Sequence, residues 1–312
     1  MNLLSAIYAG GVGVKNRLYD SGALKSRTLR GPVVSVGNLS VGGSGKTPFV
    51  ILLCELLKQR GIQFDVLSRG YGRKTRGVLE VDPSGSPDQF GDEPLLIARR
   101  LGCPVIVGES RFEAGACAEE KFGPQLNILD DGFQHRSLAR DFEIVLLTPD
   151  DLGDQPLPAG RLREPLSSLS RADAIVIPTE MNFAALPGKP VWQVKRSLEV
   201  SDAPARLVAF CGIARPQRFL DDLNNINIQP VATKLYRDHH AYTSSDVDEL
   251  IAIRNQNAAT GFITTEKDQI NLGALIEKLG DVTIARVRME LLDAADALDT
   301  MLRVIRERKP SA

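Results

Sequence analysis

Three glycines, a lysine and a threonine crowd into Ser40-Val-Gly-Gly-Ser-Gly-Lys-Thr47, and that combination suits phosphate chemistry. A polyphosphate needs several backbone N–H groups converging on its oxygens, and only glycine lets a loop curl that tightly without a Cβ in the way. Gly42, Gly43, Ser44 and Gly45 supply the loop, Lys46 a mobile ammonium for the outer phosphates, and Thr47 a hydroxyl for Mg²⁺. The spelling departs from G-x-x-x-x-G-K-[ST] at its first position, where Ser40 replaces glycine, and Pro48 follows Thr47 directly. Proline is tolerated in a helix's first turn, so the phosphate reading stands.

A hard cation beside phosphate takes oxygen ligands, and Asp130-Asp131, at the end of an apolar run from Leu126, are the expected partners of Thr47. Asp92 and Glu93 open a helix-like stretch after a long excursion over residues 75–91; they read either as site residues or as carboxylates capping that helix. Arg69 and Arg73 follow a strand-like run and suit phosphate, substrate or a solvated basic turn. Gln134 and His135 lie where they can touch a substrate, and Arg161, Arg163 and Glu164 again follow a strand. Asp238-His239-His240 carries metal-ligand types, but the only other histidine is His135, so an imidazole paired with a carboxylate fits better than zinc.

The elements that must position these groups alternate between strand and helix. Val33, Val34 and Val36 read as a buried strand before the loop, and Phe49, Leu52, Leu53, Leu56 and Leu57 form one apolar helix face after it, ending at Gly61. Strands are expected at Phe64–Ser68, Pro104–Val107, from Leu126, and at Phe142–Leu147, Ala174–Ile177 and Val191–Val194, with a helix over Arg111–Phe122. This implies an α/β fold with a largely parallel sheet. The pattern restarts near Arg206 with strands at Leu207–Cys211, around Pro230, at Phe262–Thr265 and at Val282–Ile284, and a last helix from Leu291 to Arg306. Residues 1–200 and 201–312 are therefore expected as a larger and a smaller α/β domain, with the boundary between Ser197 and Arg206.

The 312 residues and 43% apolar content support real cores. Lys and Arg number 38 against 39 Asp and Glu, so no overall basic field points to nucleic acid. The four scattered cysteines have neither C-x-x-C nor zinc spacing and suit reduced, buried thiols. The N-terminal run Met1–Val14 is apolar, too short to span a bilayer, and followed by Lys15, Arg17, Lys25, Arg27 and Arg30. It reads as an interfacial membrane helix or as a helix packed on the domain and ended by Gly10, Gly11 and Gly13.

With these residues in hand, the chain resembles the tetraacyldisaccharide 4'-kinases, the lipid A 4'-kinase family of Gram-negative bacteria. The resemblance rests on Val36–Pro48, Ser68–Arg73, Gly91–Pro94, Asp130–His135, Arg163–Pro165, Asp238-His239 and Thr264–Asp268, in family order over most of the chain. It implies a P-loop NTPase-like domain with a second, smaller one, and transfer of the γ-phosphate of ATP to the 4'-hydroxyl of a tetraacyl glucosamine disaccharide 1-phosphate. It also implies Mg²⁺ as cofactor and work at the cytoplasmic face of the inner membrane. Carried over, Lys46 and Thr47 hold phosphate and metal, Asp130 and Asp131 belong to the metal side, and Asp92 with His239 forms a base dyad. Arg69, Arg73, Gln134 and Glu164 are placed near nucleotide or acceptor, while Thr264–Asp268 suits adenine contact or interdomain packing. A four-chain lipid acceptor stays in the bilayer, which favours peripheral membrane association through residues 1–30; neither nucleic acid nor a protein partner is expected. A nucleotide-driven switch and a kinase of a soluble substrate are the rival readings of the loop. Val41 stands where partitioning-type ATPases usually carry a lysine.

Overall fold

Continuous apolar runs bounded by glycine-rich turns become strands buried on both faces, as a parallel sheet requires. The computed structural model describes residues 3–183 and 188–310; Met1 and Asn2, which begin the apolar N-terminal run, lie outside them. The first half contains α1 (Leu3–Asp20), β1 (Val33–Asn38), α2 (Lys46–Gln59), β2 (Phe64–Ser68), β3 (Leu79–Glu80), α3 (Pro87–Phe90), α4 (Asp92–Leu101), β4 (Val105–Val107), α5 (Arg111–Phe122), β5 (Leu126–Asp130) and β6 (Phe142–Leu146). Next come α6 (Pro149–Gly153), β7 (Ala174–Pro178), β8 (Val191–Glu199), β9 (Leu207–Cys211), α7 (Pro216–Asn225) and β10 (Ala232–Leu235). The chain closes with α8 (Ser244–Gln256), β11 (Gly261–Thr265), α9 (Glu266–Leu272), β12 (Val282–Leu291) and α10 (Ala294–Arg308).

The strands join in one 12-stranded sheet, ordered β10-β9-β11-β12-β8-β7-β6-β1-β5-β2-β4-β3. Pairing is parallel except at the β3 edge and where β12 meets β8, with Arg286 opposite Glu199 and Leu291 opposite Val194. This junction departs from the sequence expectation, which ended the last strand at Ile284 and began a helix at Leu291. Arg286, Arg288 and Glu290 alternate with less polar neighbours, so the segment has a strand's period of two but no apolar run to announce it.

β1 runs between β5 and β6 with all six of its residues buried. Gly37 is required there: a Cβ on it would fall 2.5 Å from Phe133 Cβ and 2.7 Å from Phe133 N, so the turn after β5 presses directly on the strand. α2 is buried beyond its expected face, since Val50, Ile51 and Cys54 are covered as well as Phe49, Leu52, Leu53 and Leu57. β12 packs against α2, and Leu298, Met301 and Ile305 of α10 join the same core as Phe49, Leu53 and Trp192. Each such large apolar side chain contributes ~1.5–3 kcal/mol on burial. Separate apolar clusters lie on the two faces of β9 and β11.

The N-terminal helix runs unbroken through Gly10, Gly11 and Gly13 to Asp20, so those glycines do not end it. None of the three meets another atom where its Cβ would be. Long-range polar bonds hold this helix in place: Asn16 to Glu164 at 2.7 Å, Lys15 to the Gln134 carbonyl at 3.3 Å, Arg136 to the Asn16 carbonyl at 2.9 Å, and Tyr8 to the Arg163 carbonyl at 3.3 Å.

Candidate active site

The carboxyl ends of β1, β5 and β2 open on one cavity of about 460 Å³, the position where open α/β sheets bind ligands. After β1, Gly42, Gly43 and Gly45 take left-handed φ values of 66°, 65° and 87°, and the loop delivers Lys46 and Thr47 to the first turn of α2. Thr47 and Ser44 are buried, and the Ser44 hydroxyl has no hydrogen-bond partner among the described residues. Lys46 Nζ donates to Asn38 Oδ1 at 3.0 Å and lies 3.4 Å from Asp131 Oδ1.

The end of β5 supplies two carboxylates in different states. Asp130 accepts from the Ser68 hydroxyl at 3.1 Å through Oδ2, while its Oδ1 is buried without a partner among the described residues. Burial, together with the charges of Glu93 and Asp131, pushes the Asp130 carboxyl above its ordinary value. Burial acts on Asp131 in the same direction, but Lys46 and Arg163 overcome it and hold that carboxyl well below the usual range. Arg163 grips Asp131 through both terminal nitrogens, at 2.7 and 3.0 Å, and also donates to Asn38 Oδ1.

Asp92 begins α4. Its close approach to the β2 loop depends on Gly91, where a Cβ would fall 2.9 Å from the Tyr71 carbonyl. Asp92 Oδ1 accepts from the Glu93 N–H at 2.9 Å, and Oδ2 lies 2.7 Å from Nδ1 of His239. Burial would raise the Asp92 carboxyl, but the His239 bond and the Lys267 charge bring it below its ordinary value. The same bond raises His239 above its ordinary value against the opposing effect of burial. His239 adopts a left-handed backbone with φ 55°, and its N–H donates to the Gly212 carbonyl at 3.1 Å. The imidazole stands in the cavity wall with the Tyr71 ring 5.2 Å away, whereas Asp92 is buried behind it. His240 instead stacks on Tyr236 with ring centroids 4.5 Å apart.

The cavity therefore gathers Gly42, Gly43, Ser44, Gly45, Lys46, Thr47, Arg69, Asp130, Asp131 and His239. It does not gather Arg73, Gln134 or Glu164, which the sequence places near the ligands. Arg73 is tied to Glu109 at 2.8 Å and to the Gly77 carbonyl at 2.7 Å. Gln134 donates to the Asn38 carbonyl at 3.0 Å. Glu164 is buried between Arg171, bound at 2.8 and 3.0 Å, and Asn16, so it anchors the N-terminal helix. Each makes its side-chain bonds away from the cavity wall.

The segment Thr264–Asp268, open in sequence between adenine contact and packing, bridges the two halves. Lys267 pairs with Glu93, Glu266 accepts from Arg100 at 2.7 Å, and Asp268 accepts from the Gly212 N–H and the Tyr242 hydroxyl at 2.7 and 2.8 Å. Arg196, Arg215 and Arg218 also reach the cavity, and no motif in the sequence marks them. Lys267 and Glu93 are 174 positions apart, so no local spacing could join them.

The model of the LpxK family, described as tetraacyldisaccharide-1-P 4'-kinase, matches residues 1–306. A tetraacyldisaccharide 4'-kinase of Koribacter versatilis (strain Ellin345) is 49% identical over 321 residues, covering 99% of this chain and all of that protein. One from Aquifex aeolicus (strain VF5) is 39% identical, covering 86% of this chain and 88% of its own. A crystal structure of LpxK from Aquifex aeolicus in complex with ATP superposes with a TM-score of 0.80 at 36% identity, over 97% of both chains. Glycine-rich loop, paired aspartates and the Asp92–His239 contact thus lie in a chain that belongs to the tetraacyldisaccharide-1-P 4'-kinase family.

Proposed function

We propose that this cavity transfers the γ-phosphoryl group of ATP to the 4'-hydroxyl of a tetraacyldisaccharide 1-phosphate, a step in making lipid A. The observation that carries the reading is the convergence of the phosphate loop and the Asp92–His239 pair on one cavity. We take residues 1–200 as the nucleotide-binding domain and 201–312 as the smaller domain that brings His239 to it.

Backbone N–H groups of Gly42–Thr47 and the Lys46 ammonium bind the phosphates, releasing Lys46 from Asn38 and Asp131. The chain also fits Mg²⁺. Asp130 offers a buried, unpartnered oxygen that a cation would satisfy, Thr47 faces the same cavity, and Asp131 completes the acidic side. When bound, the ion supplies positive charge to the phosphate oxygens. Asp92 holds His239 through Nδ1, which assigns the proton to that nitrogen and leaves Nε2 to accept from the sugar hydroxyl. A sugar hydroxyl is far less acidic than an imidazolium of ordinary pKa ~6.5, so the proton must leave late. Late transfer suits a loose phosphoryl transition state, in which positioning and charge neutralisation lower most of the barrier.

The acceptor's acyl chains require a membrane surface, and the N-terminal helix offers one. Leu3, Leu4, Ile7, Val14 and Leu18 are exposed, with Leu3 76% and Ile7 63% accessible. At ~100° per residue these five fall on one face, while Ser5, Tyr8, Lys15 and Asn16 point to the body. No helix among the described residues is long and apolar enough to cross a membrane. The exposed apolar face supports our reading that the enzyme binds peripherally, at the cytoplasmic face of the inner membrane, through residues 1–30. Incubation with γ-labelled ATP and the disaccharide 1-phosphate lipid in mixed micelles tests the assignment. Label should appear on the lipid; ATP hydrolysis with an unlabelled lipid would refute the kinase reading.

A further inference from the structure

The second half of the chain rests directly on the phosphate loop. A Cβ on Gly42 would fall 2.9 Å from Ala214 Cβ, one on Gly43 2.6 Å from both Cγ and Cδ of Arg215, and one on Gly45 2.6 Å from Met289 Cε. The three glycines therefore do more than let the loop curl. They also admit the turn between β9 and α7, and the side chain of Met289 from β12, to van der Waals contact with it.

Arg215 lies in that turn, in the cavity wall, and its bonding is incomplete. Nη1 donates to Asp150 at 2.9 Å, an aspartate whose side chain is more than half exposed. Nε and Nη2 are buried without a hydrogen-bond partner among the described residues. A guanidinium carries its donors in a rigid fork matched to phosphate oxygens, and burying part of that fork unused is costly. The surroundings are short of negative charge as well. Arg196 and Arg218 line the same stretch, Arg196 is held by Asp222, and burial with the charges of Arg196 and Arg215 lowers Arg218 from its ordinary value.

We propose that Arg215 is a further catalytic residue: on nucleotide binding, its Nε–H and Nη2–H donate to the phosphates held by Gly42–Thr47 and offset the charge on the phosphoryl group during transfer. The proposal rests on the reading of the cavity as an ATP-dependent transferase. Asp150 is the weak, solvent-facing tether that parks the guanidinium until the phosphates compete for it. Because Lys46 comes from the first half of the chain and Arg215 from the second, the cradle is complete only when the second half lies on the loop.

The test compares wild type, Arg215→Ala and Arg215→Lys as full chains. It measures ATP and AMP binding by calorimetry, label transfer to the lipid, and the urea midpoint. Arg215→Ala should lower kcat by ~10²–10³, the range for loss of one preorganised donor to developing charge. ATP affinity should fall about tenfold or more, while AMP, which lacks the outer phosphates, binds as before. Arg215→Lys should recover less than about a tenth of the lost turnover, because a point charge lacks the fork. Added guanidinium ion should raise turnover of Arg215→Ala and not of wild type. Wild-type kcat and ATP affinity in Arg215→Ala would overturn the proposal. So would equal losses of ATP and AMP binding with full recovery in Arg215→Lys, the signature of simple packing. If the alanine variant fails to fold, Arg215→Lys decides: wild-type turnover rejects the role, and a large loss with an unchanged urea midpoint supports it. A wild-type enzyme that binds no ATP would remove the transferase reading, and this proposal with it.

Discussion

Replacing Asp92 by asparagine removes one charge from the Asp92–His239 pair while keeping its shape. The bond at 2.7 Å is charge-assisted, and such bonds contribute ~1.5–3 kcal/mol, or ~10–150-fold if spent wholly on orienting the imidazole. The carboxylate also stabilises the imidazolium that forms as the proton arrives, so the full loss should approach that of a positioned base, ~10²–10⁴ in kcat. The fold should survive, because the amide oxygen of the substituted side chain can still accept from the Glu93 N–H and Lys267 keeps its partner Glu93. Two assays separate these effects: label transfer to the lipid, and calorimetric ATP binding, which should be unchanged. The pH dependence adds an independent check. Asp92 raises His239, and the base must be unprotonated, so kcat/KM of the wild type should rise through a midpoint above the ordinary histidine value. In Asp92→Asn that midpoint should move down. For stability the sign is opposite. The raised histidine contributes fully below ~6.5 and loses its contribution as pH rises through its folded pKa, while the depressed Asp92 contributes above ~3.9 and loses it in acid. The stability gap between wild type and variant should therefore be widest between those ordinary values. Turnover within threefold of wild type, with an unmoved pH midpoint, would refute the reasoning.

Other perturbations probe the rest of the account. Changing Leu3, Leu4 and Ile7 together to glutamine should weaken sedimentation with anionic vesicles by at least ~100-fold, since each buried side chain is worth ~1.5–3 kcal/mol, and should leave the melting temperature alone because these positions are already exposed. Unchanged vesicle binding would take the N-terminal helix off the membrane. Asp65 is buried with neither oxygen partnered among the described residues, and burial followed by the Glu119 charge pushes it up to about 8. Its folded pKa exceeds the ordinary value, so wild-type stability should decline from about pH 4 to about 8, and Asp65→Asn should gain relative to it by several kcal/mol at the upper end. Parallel melting-temperature profiles for the two would contradict this. Gly37→Ala should lower stability by ~1–3 kcal/mol or more in urea titration, because its Cβ meets the Phe133 backbone and Cβ rather than a flexible tip; a neutral result would mean the turn can shift.

Local structure was legible in the sequence and long-range contacts were not. The loop at Gly42–Thr47, the strand before it and the aspartates ending β5 are written in short segments whose residue types dictate both conformation and chemistry. His239 was reachable only through family resemblance, because 147 positions separate it from Asp92. The resemblance places Arg73, Gln134 and Glu164 near the ligands, and in the structure their side chains bond Glu109, the Asn38 carbonyl and Arg171 outside the cavity lining. Position at a strand end does not say which way a side chain is satisfied. The β8–β12 junction was hidden by its charged alternation. The unbroken N-terminal helix was hidden by glycines that ordinarily weaken one.

The central claim is that one cavity binds ATP through Lys46 and passes its phosphoryl group to a hydroxyl through His239. Measuring ATP binding and lipid labelling side by side in Lys46→Ala and His239→Ala tests it most directly. The account predicts that Lys46→Ala loses both, and that His239→Ala binds ATP as wild type does but labels the lipid ~10²–10⁴ times more slowly. A His239→Ala enzyme that labels the lipid at the wild-type rate, or a Lys46→Ala enzyme with undiminished ATP binding and labelling, would contradict it.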